Sequence, residues 1–287
     1  GIMLSRPVSS LLQLGMCYFA FKLWANRVPV EEVGISYDLI MQGEFWRVFS
    51  ASFAHFELLH LGFNMMSLYN LAGLENLHGI VSYGSLSLSL IVLTQVLCIL
   101  TYHVMITRYN RSDMIHQLAV GYSCVLFAWM VDASVRMDKF CPIPFATSFC
   151  FNTFQIPTFG LLSSGLPVNL GPFVLLILIK VVIPRSSFIG HLSGIVLGYP
   201  VAWGLMNWIT PDVVFLACVV VYMQSKRLWI WQLPGFAVAT PLHEFVEEKQ
   251  LKLRRLLFVC FGMCVAVCLP IALYFGAFAG AVRVFVA

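Results

Sequence analysis

Apolar runs roughly twenty residues long alternate along the chain with polar breaks, the pattern of a protein that crosses a bilayer several times. The runs at 8–24, 58–79, 83–106, 115–135, 170–183 and 188–208 read as six successive spans, and 256–284 reads as a further one. The run at 213–223 is shorter, of a length more typical of an interfacial or re-entrant piece, so the count is seven or eight according to whether it crosses. The connections are unequal. Residues 108–113 make a turn and Pro184-Arg185 a tight break. The first connection, 26–56, is long and carries Pro29, Glu31, Glu32, Asp38, Glu44, Trp46 and Arg47. Loops of that length are often functional, and its amphipathic residues suit a membrane interface. A second long loop, 136–166, holds Pro142, Pro144 and Pro157. Further on, Thr240-Pro241 reads as an N-cap followed by proline at the first helical position, opening a charged helix that includes Glu247, Glu248, Lys249, Lys252, Arg254 and Arg255. The expected organisation is an all-α polytopic membrane protein. Residues 1–210 form a six-helix core, 211–255 hold the short run, an interfacial segment and the charged helix, and 256–287 form an additional C-terminal transmembrane helix.

Composition fixes the solvent. With 60% hydrophobic and 10% charged residues, an ordinary soluble domain is excluded and the lipid bilayer is the medium. The first run lacks the charged start and small-residue cleavage site of a signal peptide, so it reads as a retained span. The net charge of +4 is scattered and forms no basic stripe interleaved with aromatics, which argues against nucleic acid as a partner. Nine cysteines without a C-x-x-C pair argue against a disulfide framework or a zinc ribbon, and Cys260, Cys264 and Cys268 on one helix face read as small packing residues rather than ligands. If 213–223 does not cross, the positive charges gather on the face of the N-terminus, at Arg6, Arg136, Lys139, Lys226, Arg227, Lys249, Lys252, Arg254 and Arg255. Arg27, Arg47, Arg108, Arg111 and Arg185 lie opposite. The positive-inside rule then puts the N-terminus in the cytosol and the first loop outside or in a lumen; if 213–223 crosses, the rule inverts the protein.

Candidate chemistry sits at two helix starts. Ser123 lies between small residues near the start of the fourth run, and His191 near the start of the sixth; both runs begin from the same face, so the side chains share a depth. A serine and a histidine so placed could form a nucleophile and its base. Gly190, Gly194 and Gly198 recur every four residues beside His191, a ridge that lets a neighbouring backbone come close. The bland alternative is that ridge as a packing face with a histidine beside it. Phe127 lies one turn after Ser123, where it could pack on the imidazole. No carboxylate stands where it could orient His191: Asp132 is more than two turns deeper and Glu75 is on another helix. On the second run, His60 and Asn64 project from one face. With the backbone N–H at Ser123 they could donate to an oxyanion, or they could form a polar clamp between helices.

Taken in order, Trp46-Arg47, the series His55, His60 and Asn64, then Glu75, Gly121-Tyr122-Ser123, and His191 with Gly194 and Gly198 resemble the rhomboid intramembrane serine proteases over 44–208. The stretches around Ser123 and His191 look most like the eukaryotic subgroup of the endoplasmic reticulum. The resemblance implies a rhomboid-like six-helix core and a serine endopeptidase that cleaves transmembrane or membrane-proximal segments with a Ser123–His191 dyad. His60, Asn64 and the Ser123 amide would form the oxyanion hole, supported by Trp46, Arg47, His55, Glu75, Gly121, Phe127, Gly194 and Gly198. The fifth helix and the loop before His191 would act as gate and cap. No cofactor or metal is implied. Substrates would be membrane proteins with unstable transmembrane helices, and the site would face the lumen of the endoplasmic reticulum or another endomembrane. One departure is Cys124, where the family usually has glycine, which bears on the shape of the oxyanion hole. The rival reading is a rhomboid-like pseudoprotease that binds membrane clients for degradation or trafficking without cutting them. A small transporter lacks support from any inverted repeat, and there is no H-E-x-x-H for a zinc protease.

Overall fold

The computed structural model describes residues 5–142, 149–157, 165–214 and 216. Residues 1–40 and 44–207 form one compact unit; 41–43 and 208–287 belong to a second. The charged helix expected after Thr240-Pro241, the three spaced cysteines and the span expected at 256–284 lie outside the described residues, as does 213–223 apart from residues 213, 214 and 216.

The first unit is mostly helical. Helix α1 (Pro7–Ala25) opens with proline at its first position, where the missing N–H costs nothing. Three short helices, α2 (Val30–Val33), α3 (Tyr37–Met41) and α4 (Arg47–Phe53), fold up the long first connection. The run expected as one second span is broken into α5 (Leu58–Leu71) and α6 (Gly73–His78). Gly79, at φ +79°, then turns the chain into the 30-residue α7 (Ile80–Tyr109), which ends at Asn110 in the left-handed conformation. By length and composition, α7 is the one helix among the described residues long and apolar enough to cross a membrane.

The fourth run departs from expectation. Helix α8 (Ser123–Val135) starts eight residues later than the apolar pattern predicts, because Ile35 and Ala119 exchange two backbone hydrogen bonds (3.0 and 2.9 Å) that hold the approach extended. Gly121, at φ +112°, then makes the corner into the helix. Of residues 115–122 only Gly121 and Tyr122 are buried; the apolar residues before them are half-buried turn and extended chain, not helix.

The mostly helical fold also carries short strands that the sequence did not announce. The loop after α8 carries two short antiparallel pairs, β1 (Lys139–Phe140) with β2 (Phe151–Asn152), and β3 (Phe154–Ile156) with β4 (Leu166–Val168). A Cys141–Cys150 disulfide lies just beyond the first pair, a single bond that the spread of the cysteines along the chain did not announce. Asn169 ties this region to α9 (Gly171–Val182): its amide donates to the Phe151 carbonyl (2.9 Å) and Thr153 Oγ1 (3.0 Å), while its oxygen accepts from Gly171 N–H (2.8 Å). The last described helix of the unit, α10 (Phe188–Ala202), carries Pro200 and stops six residues short of the expected end. Trp203 closes it by donating from Nε1 to the Pro167 carbonyl (2.9 Å).

Helices α8 and α10 share the largest interface, and Phe127, Val131, Leu176, Ile195 and Tyr199 form a buried cluster between α8, α9 and α10. A Cβ at Gly194 would run into the Cys124 carbonyl oxygen, and one at Gly198 would stand 2.6 Å from the Ala128 carbonyl oxygen. The glycine ridge thus seats the backbone of α8 directly, without side chains between.

Candidate active site

Ser123 is the first residue of α8, and His191 lies in the first turn of α10. Close seating of one helix on the other leaves Ser123 Oγ 2.8 Å from His191 Nε2. For the hydroxyl to donate there, Nε2 must be bare and the proton must sit on Nδ1. That Nδ1–H is buried and meets no acceptor. Among the described residues no carboxylate completes a triad. The ring is held by packing instead: Phe127 stacks on it with centroids 4.7 Å apart and planes at 26°. Below it, Ser187 caps the helix by accepting from Gly190 N–H (3.2 Å), and His191 N–H donates to the Ser187 carbonyl (3.0 Å).

Cys124 finds a place in the same interface. Its side chain is buried, and its sulfur lies 3.0 Å from where a Gly190 Cβ would stand. The cysteine occupies room that the glycine ridge leaves open.

A second group gathers at the Gly121 corner. A Cβ on Gly121 would sit 2.6 Å from His60 Cε1, so the absence of a side chain brings the His60 ring against the turn that leads into Ser123. Gly121 N–H donates to the Ala51 carbonyl (2.7 Å). His55 lies behind His60, ring centroids 4.9 Å apart; its Nδ1–H donates to the Phe53 carbonyl (3.1 Å) and its buried Nε2 has no partner. Burial first, and the neighbouring His60 second, push the His55 imidazole down to about 4, against the opposing pull of the Phe53 carbonyl. Asn64 lies one turn further along α5, buried, with Nδ2 donating to the His60 carbonyl (2.9 Å) and Oδ1 unpartnered.

The remaining residues singled out in the sequence lie away from the dyad and brace the scaffold. Arg47 donates to Glu44 (2.6 Å) and to the Glu31 and Gly34 carbonyls (2.8 Å each), folding the first connection, and its guanidinium lies over the Trp46 ring. Glu75, fully buried, accepts from the amides of Val8 and Ser9 and from the Ser9 hydroxyl (2.8 Å each) at the start of α1.

Several polar contacts carried no signal in the sequence. Asp132 is buried in α8, paired with His78 (2.7 Å) and with Arg136 (2.8 Å). Asp38 accepts from Ser36 (2.7 Å), and its other carboxylate oxygen lies 3.0 Å from His116 Nδ1. Tyr37 lies 2.8 Å from His103 Nδ1. For Asp38 burial works upward, but the bonds from Ser36 and His116 and the charge of His116 outweigh it and hold the carboxyl below its usual range. The Ser187 cap was readable, as a serine three residues before the glycine at the opening of the sixth run, and so was the i, i+4 pair of Asp132 with Arg136.

A model of the rhomboid domain matches residues 42–208, more than half of the chain and the stretch that contains both members of the dyad. The chain belongs to the rhomboid family. As a rhomboid-domain protein it is an integral membrane protein. It is 28% identical over 189 residues to rhomboid-like protein 15 of Arabidopsis thaliana, covering 63% of this chain and 42% of that protein. It is 29% identical over 155 residues to the mitochondrial rhomboid-like protein 14 of the same plant, covering 53% and 41%. Rhomboid-type serine protease 2 of Neurospora crassa is 24% identical over 191 residues, covering 66% and 59%. The chain spans about half the length of the curated rhomboid relatives it matches or less, 41–59% of these three.

Proposed function

We propose that this rhomboid is a serine endopeptidase that cuts membrane proteins within or beside the bilayer. The observation that carries the reading is the 2.8 Å contact between Ser123 Oγ and His191 Nε2. Ser123 Oγ attacks the scissile carbonyl carbon while its proton passes to His191 Nε2. The tetrahedral oxyanion is met by the Ser123 N–H, one of the four amides that the start of any helix leaves free, and by His60 and Asn64. On collapse the C–N bond breaks and the leaving amine takes the proton from His191. Water then attacks the acyl-enzyme by the same route and restores the serine. Asn64 has to turn its amide from the His60 carbonyl toward the oxyanion to take part.

Helix length supports action within the membrane. A helix of 13 residues spans about 20 Å, against about 30 Å for the hydrocarbon layer. With the charged end at Arg136, Asp138 and Lys139 at one boundary, Ser123 lies about 10 Å beneath the other. Substrates are therefore segments that unwind within the bilayer, the transmembrane helices of low stability. On this reading α1, α5 with α6, α7, α8, α9 and α10 form the membrane core, and further C-terminal helices follow it.

The test is cleavage of a model single-pass substrate by the full chain in liposomes, together with fluorophosphonate labelling at Ser123. Ser123→Ala and His191→Ala are each expected to lower cleavage to background, by about 10⁴-fold or more. Cleavage that survives Ser123→Ala overturns the proposal. A wild type that neither cuts nor labels points to the pseudoprotease.

A further inference from the structure

Lys180 is the one ionisable residue in α9, whose sequence from Pro172 to Val182 is otherwise apolar. Its ammonium does not simply reach for water. It donates to two backbone carbonyls of the loop that follows, Pro184 at 2.6 Å and Ser186 at 3.0 Å. That loop, residues 183–187, is drawn in further by Ile183 N–H on the Ile179 carbonyl (2.7 Å) and Ser186 N–H on the Ile183 carbonyl (2.9 Å). Ser187, the residue after the second carbonyl held by Lys180, is the N-cap of α10. Both of its oxygens are committed to the first turn: the hydroxyl to Gly190 N–H and the carbonyl to His191 N–H.

We propose that Lys180 is a positioning residue for His191, which it fixes by locking the loop from which α10 starts. A histidine oriented by a carboxylate keeps its ring in place even if its backbone loosens. His191 has no such partner, since its Nδ1–H meets no acceptor, and stacking on Phe127 restrains the plane of the ring but not its height along α10. The ring therefore goes where the first turn of α10 goes. One line of polar contacts on that turn runs from Lys180 through the 184 and 186 carbonyls to Ser187 and on to residues 190 and 191; a side-chain hydrogen bond between Ser187 and Tyr102 of α7 is the other. A charge-assisted bond to each of two carbonyls restrains the loop more firmly than either neutral amide contact within it. Loss of geometry of the order of 1 Å in a reacting pair costs about 10²-fold in rate, so a partial loosening is felt in catalysis before it is felt in folding.

The inference rests on the reading of Ser123 and His191 as a working pair, and two readouts on the full chain in detergent separate the two claims. Lys180→Met keeps the apolar stem and removes the donor; Lys180→Arg keeps donors for both carbonyls. Amide hydrogen exchange of the peptide covering 183–191 needs no activity. It is expected to quicken about tenfold in Lys180→Met while peptides from α8 are unchanged. Fluorophosphonate labelling of Ser123 and kcat on a model transmembrane substrate are expected to fall by about the same factor, with KM unchanged, and Lys180→Arg to restore all three. Exchange in Lys180→Met equal to wild type overturns the proposal. So does quicker exchange with undiminished labelling, or Lys180→Arg as impaired as Lys180→Met. A wild type that takes no label at Ser123 removes the nucleophile reading, and exchange at 183–191 then decides the Lys180 lock by itself.

Discussion

Ser9 and Glu75, 66 residues apart, are joined twice: the Ser9 amide and the Ser9 hydroxyl both donate to the same Glu75 carboxylate oxygen at 2.8 Å. With the Val8 amide on the other oxygen, a buried carboxylate from α6 caps the start of α1 and sits at its positive end. Glu75→Ala leaves three donors without an acceptor and is expected to cost about 3 kcal/mol or more in unfolding free energy. Glu75→Gln, which keeps one acceptor, is expected to cost about half of that. Thermal unfolding in detergent distinguishes the two.

The glycines of α10 and α5 are expected to behave oppositely. Gly194→Ala drives a methyl into the Cys124 carbonyl and is expected to cost about 3 kcal/mol and abolish labelling of Ser123. At Gly62 nothing lies within 4 Å of an added Cβ, and alanine there is expected to stabilise α5 by about 0.5–1 kcal/mol. Unfolding midpoints of the two variants, measured side by side, check the contrast.

Phe127→Leu keeps an apolar side chain of similar reach and removes the aromatic face on which the His191 ring lies. Stacking of this kind is worth about 1 kcal/mol, so kcat on a model substrate is expected to fall roughly fivefold with KM little changed. An unaltered kcat would show that stacking on Phe127 does not set the ring.

His55 makes stability depend on pH. Its imidazole is held down at about 4, so the folded chain binds fewer protons than the unfolded one between that value and the ordinary 6.5 or so. Its contribution is full above about pH 6.5 and is lost as pH falls toward about 4, in total roughly 3 kcal/mol. His55→Asn is expected to flatten the unfolding midpoint over that window relative to wild type.

The Cys141–Cys150 bond closes a loop of nine residues' separation, for which chain entropy gives about 2–3 kcal/mol of local stabilisation. Reduction, or Cys141→Ser, is expected to quicken hydrogen exchange in β1 and β2 while leaving α8 unchanged. Alkylation of the two cysteine peptides before and after reduction checks the pairing directly.

The sequence was most informative where one apolar face meets another. Helices stand at each of the six runs of the core, because a long apolar run in a bilayer has to satisfy its backbone hydrogen bonds within itself. It misled at 115–122, where Ala119 pairs with Ile35 in a turn and extended approach, and in the loop after α8, where strands of two or three residues are too short to show a period. Ser123, His191 and the glycine ridge were legible because small residues repeated every four positions mark a place where two helix backbones touch. The pairing of Asp132 with His78 and of Asp38 with His116 was not, since each partner is brought from far along the chain, and the Lys180 contacts depend on how the following loop turns back. The cysteine pair was hidden for the same reason: a nine-residue spacing means little until β1 and β2 bring its ends together.

The same disulfide has a bearing on cell biology. Ser123 opens α8, and Cys141 follows six residues beyond its end, so the two mark opposite ends of one helix. Thiols bond and stay bonded only where the surroundings are oxidising. The oxidation state of this pair, read from cells quenched in acid and alkylated, is therefore a compass built into the chain. A bonded pair assigns the oxidising compartment to the far end of α8 and the reducing one to the dyad, opposite to the placement that the positive-inside rule gives for a seven-span chain, whereas free thiols are what that placement expects.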